Sequence, residues 1–230
     1  MRIGGFQKLT LVDFPGLIAA TVFVQGCNFR CGYCHNAELV LPQLFQEPLP
    51  PTVIFDYLNG RQGKLEGVVI TGGEPTLQKG LVDFITRIKE MGFAVKLDTN
   101  GSHPEVLSSL IESNLLDYIA MDIKSSLPKY SQVAGIICDT EKIQESIGII
   151  INSGIPYQFR TTLAKQFCSD EDLGYIQPLI EKADHYVLQP FISSQKMVND
   201  QFDHQEQYTV KEVDLLKAKY DKYPVGGKNI

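Results

Sequence analysis

Short apolar runs alternate with segments of helical periodicity along most of the chain. Six runs of five to seven residues have the length and apolar content of buried strands, and they lie at residues 19–24, 67–71, 94–98, 118–123, 156–162 and 185–189. Strands separated by helices in this way are typical of βα units that form a parallel sheet. The pattern predicts an α/β fold, either a partial (βα)6 TIM-like barrel or a strongly curved open sheet, with parallel strands.

Helical periodicity fills the intervals between these runs. The predicted helices cover residues 52–59, 80–91, 104–113, 140–152, 170–183 and 210–220. Ile143, Ile147 and Ile150 share one face of the fourth helix, which we expect to pack against the sheet. Four prolines in the segment 39–51 predict an ordered loop, because proline interrupts helices and central strands. The polar segment 192–207 is predicted to be irregular, and either mobile or a cover over an opening.

The composition is that of an ordinary globular protein. The chain has 230 residues, of which 43% are hydrophobic and 21% charged, and its formal net charge is -6. We expect one domain over residues 1–230, with a core at about 17–190 and a C-terminal loop and helix at 191–230. The negative charge gives no general attraction for nucleic acid or anionic lipid. The apolar run 17–24 is too short to cross a bilayer, so we expect a cytoplasmic protein with no nucleic-acid and no membrane partner.

Polar or ligand-type residues follow every predicted strand. They are Cys27 with Cys31 and Cys34, then Gly72-Gly73-Glu74, Asp98-Thr99-Asn100, Asp122 with Lys124, Arg160, and Gln189. Sites in parallel α/β folds lie where the strands end at their carboxyl side. The same feature at six strand ends predicts one cavity that collects these side chains.

The cysteines suggest a metal site. The chain has five of them, Cys27, Cys31, Cys34, Cys138 and Cys168. The last two stand apart and are expected to be structural, whereas the first three fall within eight positions. Closed zinc sites and ordinary 4Fe-4S centres use four protein ligands, so three thiolates would leave one iron open to a small molecule. A zinc site completed by His35 or by a remote cysteine remains an alternative.

Several motifs carry a family resemblance. The C-x3-C-x-aromatic-C pattern of residues 27–34 resembles the signature of the radical S-adenosylmethionine (SAM) superfamily. The segments 11–16 (LVDFPG), 25–29 (QGCNF) and 34–36 (CHN) resemble activating enzymes of glycyl-radical proteins, above all those of anaerobic ribonucleoside-triphosphate reductase. The similarity runs from about residue 5 to residue 189. It implies a 4Fe-4S cluster on the three cysteines and SAM bound at the open iron.

The resemblance also implies which residues bind SAM. They are Tyr33, Gly72, Gly73, Glu74, Asp98, Thr99, Asn100, Asp122, Lys124, Arg160 and Gln189. Glu74 is expected to accept from the methionine ammonium group, and Lys124 and Arg160 are expected to position the cofactor. Gln189 would contact the adenine side, where Phe191 replaces a histidine of some relatives.

A monovalent cation beside the methionine carboxylate is a further expectation from the resemblance. Its ligands would be Asp98, Thr99 and the backbone carbonyl of Ala120. The structural alternative for this region is an ion pair of Asp122 with Lys124 that only closes the mouth of the barrel.

The implied activity is reductive cleavage of SAM with an electron from a flavodoxin or ferredoxin-type donor. The resulting 5'-deoxyadenosyl radical would remove a hydrogen from a glycine of a partner enzyme, whose loop would enter through the gap of an open barrel. Anaerobic ribonucleotide reductase is the first expectation for this partner, and pyruvate formate-lyase is an alternative. Two other classes stay open: a small-molecule radical enzyme such as 7-carboxy-7-deazaguanine synthase, and a cluster-bearing electron carrier or zinc-binding module.

Overall fold

Seven strands form one curved sheet whose strand order follows the chain. The computed structural model describes residues 1–193, 197–199, 202 and 206–223. The strands are Ile3–Thr10 (β1), Ala19–Val24 (β2), Gly67–Gly72 (β3), Ala94–Thr99 (β4), Tyr118–Asp122 (β5), Tyr157–Leu163 (β6) and Tyr186–Pro190 (β7). Strands β2 to β7 run parallel, and β1 pairs antiparallel with β2. No pairing joins β1 to β7 within the described residues, so the sheet is open between them.

Helices follow most of the parallel strands and bury their apolar faces in the same core. In the described ranges they are Ala37–Val40 (α1), Pro51–Asn59 (α2), Leu81–Glu90 (α3), Pro104–Glu112 (α4), Tyr130–Ala134 (α5), Thr140–Ile151 (α6), Asp170–Ile176 (α7) and Val210–Tyr220 (α8). Ile143, Ile147 and Ile150 of α6 are buried as predicted. Proline opens α2 and α4, where its missing N–H has no cost, and a capping box of Ser169 with Asp172 begins α7.

The α/β fold class and the six predicted strands are confirmed, each strand within one residue of its predicted bounds. The prediction lacks β1, which adds a seventh, antiparallel strand at the edge of the sheet. The short helices α1 and α5 were also not predicted, and α1 overlaps the start of the predicted loop 39–51. The predicted helix 170–183 ends at Ile176 and continues only as the 3-10 turn Gln177–Ile180, because Pro178 lacks the amide that an α-helix needs.

A small apolar cluster closes the barrel at the amino ends of the strands. Phe14, Ala19, Val69 and Tyr118 are its buried members. The ring of Phe14 lies over Gly67, where a Cβ atom would come within 2.8 Å of it. The neighbouring Asp13 accepts a hydrogen bond from Thr21 Oγ1 at 2.8 Å. The motif at residues 11–16 therefore forms the floor of the barrel, opposite the predicted site.

Residues 194–196, 200–201 and 203–205 of the predicted irregular segment 192–207 lie outside the described residues. Residues Met197 and Phe202 are buried there, and the backbone amides of Val198 and Asn199 donate to the loop that carries the cysteines. This part of the segment therefore packs on the loop that carries the cysteines. In the ranges given above, no helix combines the length and apolarity needed to cross a membrane.

Candidate active site

A cavity of about 290 Å³ opens at the carboxyl ends of the parallel strands. It is lined by every residue predicted to bind the cluster or SAM: Cys27, Cys31, Tyr33, Cys34, Gly72, Gly73, Glu74, Asp98, Thr99, Asn100, Asp122, Lys124, Arg160 and Gln189. Ala120, which was expected to offer its carbonyl to a cation, is not among the lining residues. Phe29, His35, Asn36, Val40, Thr71 and Thr162 complete the lining. Cys138 and Cys168 lie elsewhere, as expected for structural residues. The loop after β2 and the ends of β3 to β7 thus meet at one site.

The cysteine loop, residues 25–36, is held in place by backbone hydrogen bonds from three directions. These bonds are Glu74 N to Gly26 O at 2.8 Å, Arg30 N to Ala134 O at 2.6 Å and Val198 N to Cys34 O at 3.0 Å. The end of β3, the end of α5 and the C-terminal segment therefore fix the loop. A loop fixed in this way holds its three cysteines close to their metal-binding positions.

Two glycines let neighbouring backbone approach the cysteine loop closely. A Cβ atom at Gly73 would lie 2.1 Å from the Gly26 carbonyl oxygen. A Cβ atom at Gly135, whose φ is +68°, would lie 2.4 Å from the Arg30 carbonyl oxygen. Both distances are far below van der Waals contact, so the loop lies directly on backbone at both positions.

The three thiols of the loop are free and largely buried. Burial raises the pKa of Cys27 to about 12, with a further contribution from the charge of Glu74. Burial raises the pKa of Cys31 to about 11 against the opposing charge of Lys124, and it also raises the pKa of Cys34. Thiols of this kind bind metal by exchanging their protons for it. The Phe29 amide donates to Cys27 Sγ at 3.3 Å, as outer partners of metal-bound sulfur do.

Within the described part of the chain, the potential metal ligands do not surround a single point. Across the residues that the structure describes, no three His, Cys, Asp or Glu side chains converge on a point where one ion could bind. Structural zinc needs four ligands around one centre. A 4Fe-4S cluster instead presents separate irons to separate thiolates. The described residues therefore offer no ready site for a single zinc ion.

Glu74 connects the ends of β3 and β4. Its Oε1 accepts from Thr76 Oγ1 at 2.6 Å and from Thr99 Oγ1 at 2.8 Å, and its Oε2 accepts from the Asn100 amide at 2.7 Å. Burial raises the pKa of Glu74, and these hydrogen bonds oppose that effect. The carboxylate therefore fixes two strand ends, and a contact with a ligand ammonium group would be additional to these bonds.

Charged side chains from β4, β5 and β6 form a connected network at the cavity. Arg160 donates from Nε to Asp122 Oδ1 at 2.8 Å and from Nη1 to Asp98 Oδ2 at 3.4 Å. Lys124 donates to Asp122 Oδ2 at 3.1 Å, and Lys96 donates to Asp98 Oδ1 at 2.6 Å. The ion pair of Asp122 with Lys124 exists, and both residues also line the cavity. The network has three positive and two negative groups, so one positive charge is left for an anionic ligand.

Aromatic side chains cover the cysteine loop on the side of the C-terminal segment. The ring of Tyr33 contacts those of Phe167, Phe191 and Phe202 at centroid distances of 6.1, 6.4 and 5.9 Å. The Tyr33 hydroxyl is buried and finds no hydrogen-bond partner in the described part of the chain. Buried hydroxyls are rarely left unsatisfied, so this one points to a bound ligand as its partner. Gln189 lies exposed at the rim of the cavity.

Two of the three ligands expected for a monovalent cation, Asp98 and Thr99, are already hydrogen-bonded to protein groups. Asp98 Oδ1 accepts from Lys96, and Asp98 Oδ2 accepts from Thr71 Oγ1 at 3.2 Å. Thr99 Oγ1 faces Glu74 and accepts from the Gly101 amide at 3.1 Å. As placed here, Asp98 and Thr99 are poorly suited to hold a monovalent cation.

Seven of the described residues at the site were not among those predicted to bind a cofactor: Phe29, His35, Asn36, Val40, Thr71, Thr162 and Lys96. Thr71 and Thr162 line the cavity because they are the last or nearly last residues of β3 and β6. Lys96 lies within β4 and is only 3% exposed. A sequence signal for Lys96 exists, since it is the one charged residue in the run 94–97 and shares a strand face with Asp98 two positions later.

The sequence profile of the Radical SAM superfamily matches residues 21–166, which contain the cysteine loop and β3 to β6. This match covers more than half of the chain. The chain belongs to the radical SAM superfamily. It is therefore an enzyme of a family whose cofactors are a 4Fe-4S cluster and SAM. The buried thiols fit the cluster, and the Tyr33 hydroxyl, unpaired among the residues that the structure describes, fits a bound cofactor.

Relatives of this radical SAM enzyme include activating enzymes. A protein of Methanocaldococcus jannaschii named as a glycyl-radical enzyme activating enzyme is 36% identical over 194 residues, which cover 82% of this chain and 79% of that protein. The pyruvate formate-lyase 1-activating enzyme of Escherichia coli strain K12 is 28% identical over 188 residues, which cover 76% and 72%. The structure of Streptococcus suis SuiB bound to SAM superimposes with a TM-score of 0.64 at 16% identity, covering 85% of this chain and 44% of that one. The structural similarity shows a shared partial-barrel fold.

Proposed function

We propose that this radical SAM enzyme generates a glycyl radical on a partner enzyme, and that the partner is an anaerobic ribonucleotide reductase. The observation that carries the proposal is the cavity in which three thiols of one loop meet the polar ends of five strands. The similarity to activating enzymes over 79% of one relative's length supports the same class of activity.

The three cysteines would hold the cluster in this cavity. When bound, the cluster and SAM supply an electron-driven cleavage that yields methionine and a 5'-deoxyadenosyl radical, which removes hydrogen from a glycine of the partner. Lys124 and Arg160 provide positive charge for the methionine carboxylate. The Tyr33 hydroxyl finds no protein partner among the described residues and would be available to the cofactor.

The remaining residues would shape and dry the site. The ends of β3 and β4, joined through Glu74, keep Gly72 and Gly73 beside the cysteine loop, where their backbone can approach SAM. Asn100 donates to Asn28 Oδ1 at 3.0 Å and so connects that loop to β4. Gln189 at the rim would contact the adenine side. The aromatic side chains around Tyr33 would limit the access of water to the cysteine loop and so would protect a radical from side reactions.

The choice of partner and electron donor rests on the sequence. The motifs at 11–16, 25–29 and 34–36 favour ribonucleotide reductase, whereas the similarity to the Escherichia coli enzyme makes pyruvate formate-lyase the alternative. A flavodoxin or ferredoxin-type protein would supply the electron. Free thiols in the site suit a reducing compartment, which supports a cytoplasmic location. A monovalent cation would be a further cofactor, but the engaged donor atoms of Asp98 and Thr99 speak against it.

Anaerobic reconstitution followed by dithionite reduction tests the proposal. The wild-type enzyme should form 5'-deoxyadenosine, and with SAM it should produce a glycyl-radical electron paramagnetic resonance (EPR) signal on added anaerobic ribonucleotide reductase. Cys31→Ala should abolish both. Cys168→Ala is the matched control, because its thiol is buried outside the cavity lining, and it should leave both unchanged.

The outcomes separate the alternatives. A radical on pyruvate formate-lyase but not on the reductase would replace the proposed partner. Formation of 5'-deoxyadenosine with neither protein would indicate a small-molecule substrate. A reconstituted cluster that never cleaves SAM would overturn the proposal and indicate an electron carrier.

A further inference from the structure

Lys96 is a buried ammonium group inside the barrel. It is 3% exposed, and it lies in the middle of β4, whose neighbours β3 and β5 place Val69 and Tyr118 beside it in register. Its Nζ lies 2.6 Å from Asp98 Oδ1 and 6.0 Å from the centroid of the Tyr118 ring. Lysine is rarely buried to this extent without a specific role or partner.

The ammonium group lies beneath the ion pairs of the cavity. Tyr118 belongs to the apolar cluster that closes the amino ends of the strands, and Asp98 lines the cavity at the carboxyl ends. Lys96 therefore approaches Asp98 from the barrel interior. The other oxygen of Asp98 accepts from Thr71 and Arg160 on the cavity side.

Asp98 is the only carboxylate among the three ligands expected for a monovalent cation. One of its oxygens already bears a full positive charge at hydrogen-bond distance. A metal ion at that oxygen would meet like charge in a poorly solvated place, where repulsion is strong. Thr99, the second expected ligand, turns its hydroxyl to Glu74 on the opposite face of β4. The position is thus filled by a cation that the chain itself supplies.

The charge balance agrees with this assignment. Lys96, Lys124 and Arg160 carry three positive charges, and Asp98 and Asp122 carry two negative ones. The surplus of one positive charge matches a single carboxylate of a bound ligand. Another cation would raise the surplus within this network of five groups to two positive charges.

We propose that the Lys96 ammonium group serves as the built-in cation of this site, so that the enzyme binds SAM without K⁺ or Na⁺. The proposal rests on SAM being the ligand of the cavity, as stated under the proposed function. Lys96 acts through Asp98 and is a positioning residue. It holds Asp98 between itself and Arg160 and thereby fixes the guanidinium that faces the methionine carboxylate.

The first test needs no ligand and compares salts at equal ionic strength. Melting temperatures of the apoprotein are measured in KCl, NaCl and tetramethylammonium chloride, whose cation is too large for the position. The wild type should melt at the same temperature in all three. A specific rise of the wild type in KCl or NaCl would overturn the proposal whatever the cavity binds.

Two substitutions at Lys96 distinguish the effect of its positive charge from the effect of its side-chain volume. Lys96→Ala leaves room for an ion beside Asp98, so this variant should melt about 5 °C lower in tetramethylammonium and recover in KCl or NH₄Cl. Lys96→Met fills the space without charge and should not recover. Lys89→Ala is the control, since it breaks a lysine–carboxylate pair of similar length, to Asp117, away from the cavity. It should show no response specific to one cation. A folded Lys96→Ala protein that ignores the cation would contradict the proposal.

The second test measures SAM binding to the reconstituted enzyme by calorimetry. The wild-type dissociation constant should be independent of the cation. For Lys96→Ala it should rise about tenfold in tetramethylammonium and return most of the way in KCl, which is the scale of coupling between adjacent sites. If no variant binds SAM, the proposed function fails, and the melting experiment still decides the role of Lys96. Equal SAM affinity of Lys96→Ala in every salt would contradict the positioning role.

Discussion

Arg160 donates from Nε to Asp122 Oδ1 at 2.8 Å, and this bond joins the carboxyl ends of β6 and β5 at the cavity. The same guanidinium reaches Asp98 on β4, so one side chain connects three strand ends. The two carboxylates hold the planar group in a fixed orientation. A preorganised guanidinium is well suited to a ligand carboxylate.

Arg160→Met should both destabilise the protein and weaken SAM binding. The substitution leaves Asp122 and Asp98 with fewer positive partners in a buried place, which costs about 3 kcal/mol in the free energy of unfolding. Urea denaturation and calorimetry of SAM binding measure the two effects. Arg160→Lys retains the charge without the planar fork, so its loss should be smaller in both. Normal SAM affinity in a folded Arg160→Met protein would contradict the assigned role.

The destabilisation by Arg160→Met should depend on pH. Burial alone would raise the pKa of Asp122, but the charges of Arg160 and Lys124 outweigh it and hold that pKa well below its usual range. A carboxylate with a lowered folded-state pKa stabilises the protein above the unfolded-state pKa of about 3.9, and this contribution disappears as the pH falls toward the folded-state value. The difference in unfolding free energy between wild type and variant should be constant from pH 7 to 5 and narrow below pH 4. A difference that widens in acid would show that the ion pair is not its source.

Gly73→Ala should displace the cysteine loop. Its Cβ atom would lie 2.1 Å from the Gly26 carbonyl oxygen, and backbone cannot yield as a flexible side chain can. We expect a loss of about 2 kcal/mol in stability and a lower iron content after reconstitution. Gly148→Ala in α6 is the control, because nothing lies within 4 Å of its Cβ position. It should gain about 0.7 kcal/mol from helix propensity and reconstitute normally.

Phe202→Ala should expose the cysteine loop to solvent. Phe202 is 4% exposed and contacts the rings of Phe167 and Phe191 at 5.4 and 5.3 Å as well as that of Tyr33. Removing this ring should lower the free energy of unfolding by about 3 kcal/mol and open the cysteine loop to solvent. The reconstituted protein should therefore lose its iron–sulfur absorbance in air faster than wild type. Val210→Ala, at a position 78% exposed, should bleach at the wild-type rate. Equal bleaching of all three proteins would show that the aromatic cover does not protect the site.

The sequence predicts most of this fold because buried parallel strands appear as continuous apolar runs. Strand β1 lacks such a run, since it is an edge strand whose middle positions are partly exposed, and Gly4 and Gly5 reduce its strand signal. The helix ends at Ile176 because of Pro178, and hydrophobic periodicity alone does not reveal the effect of a single proline.

The site is predictable to the extent that its residues follow strand ends. The carboxyl ends of parallel strands meet in space, so the sequence alone assigns Asp98, Asp122 and Arg160 to one cavity. This rule does not identify Lys96, because Lys96 lies inside a strand and not at its end. Its pairing with Asp98 becomes evident only once the two residues are assigned to the same strand face. The packing of Phe202 on Tyr33 joins positions far apart in the chain, and no local pattern indicates such a contact.

The central claim is a 4Fe-4S cluster held by Cys27, Cys31 and Cys34 whose fourth iron binds SAM. Electron–nuclear double resonance on the reduced, reconstituted enzyme with SAM labelled by ¹⁵N in the amino group and ¹⁷O in the carboxylate tests this claim most directly. The account predicts couplings from both nuclei to the cluster. A cluster whose spectrum does not change when SAM is added would contradict it. So would a cluster with four protein ligands, or a protein that binds zinc in place of the cluster.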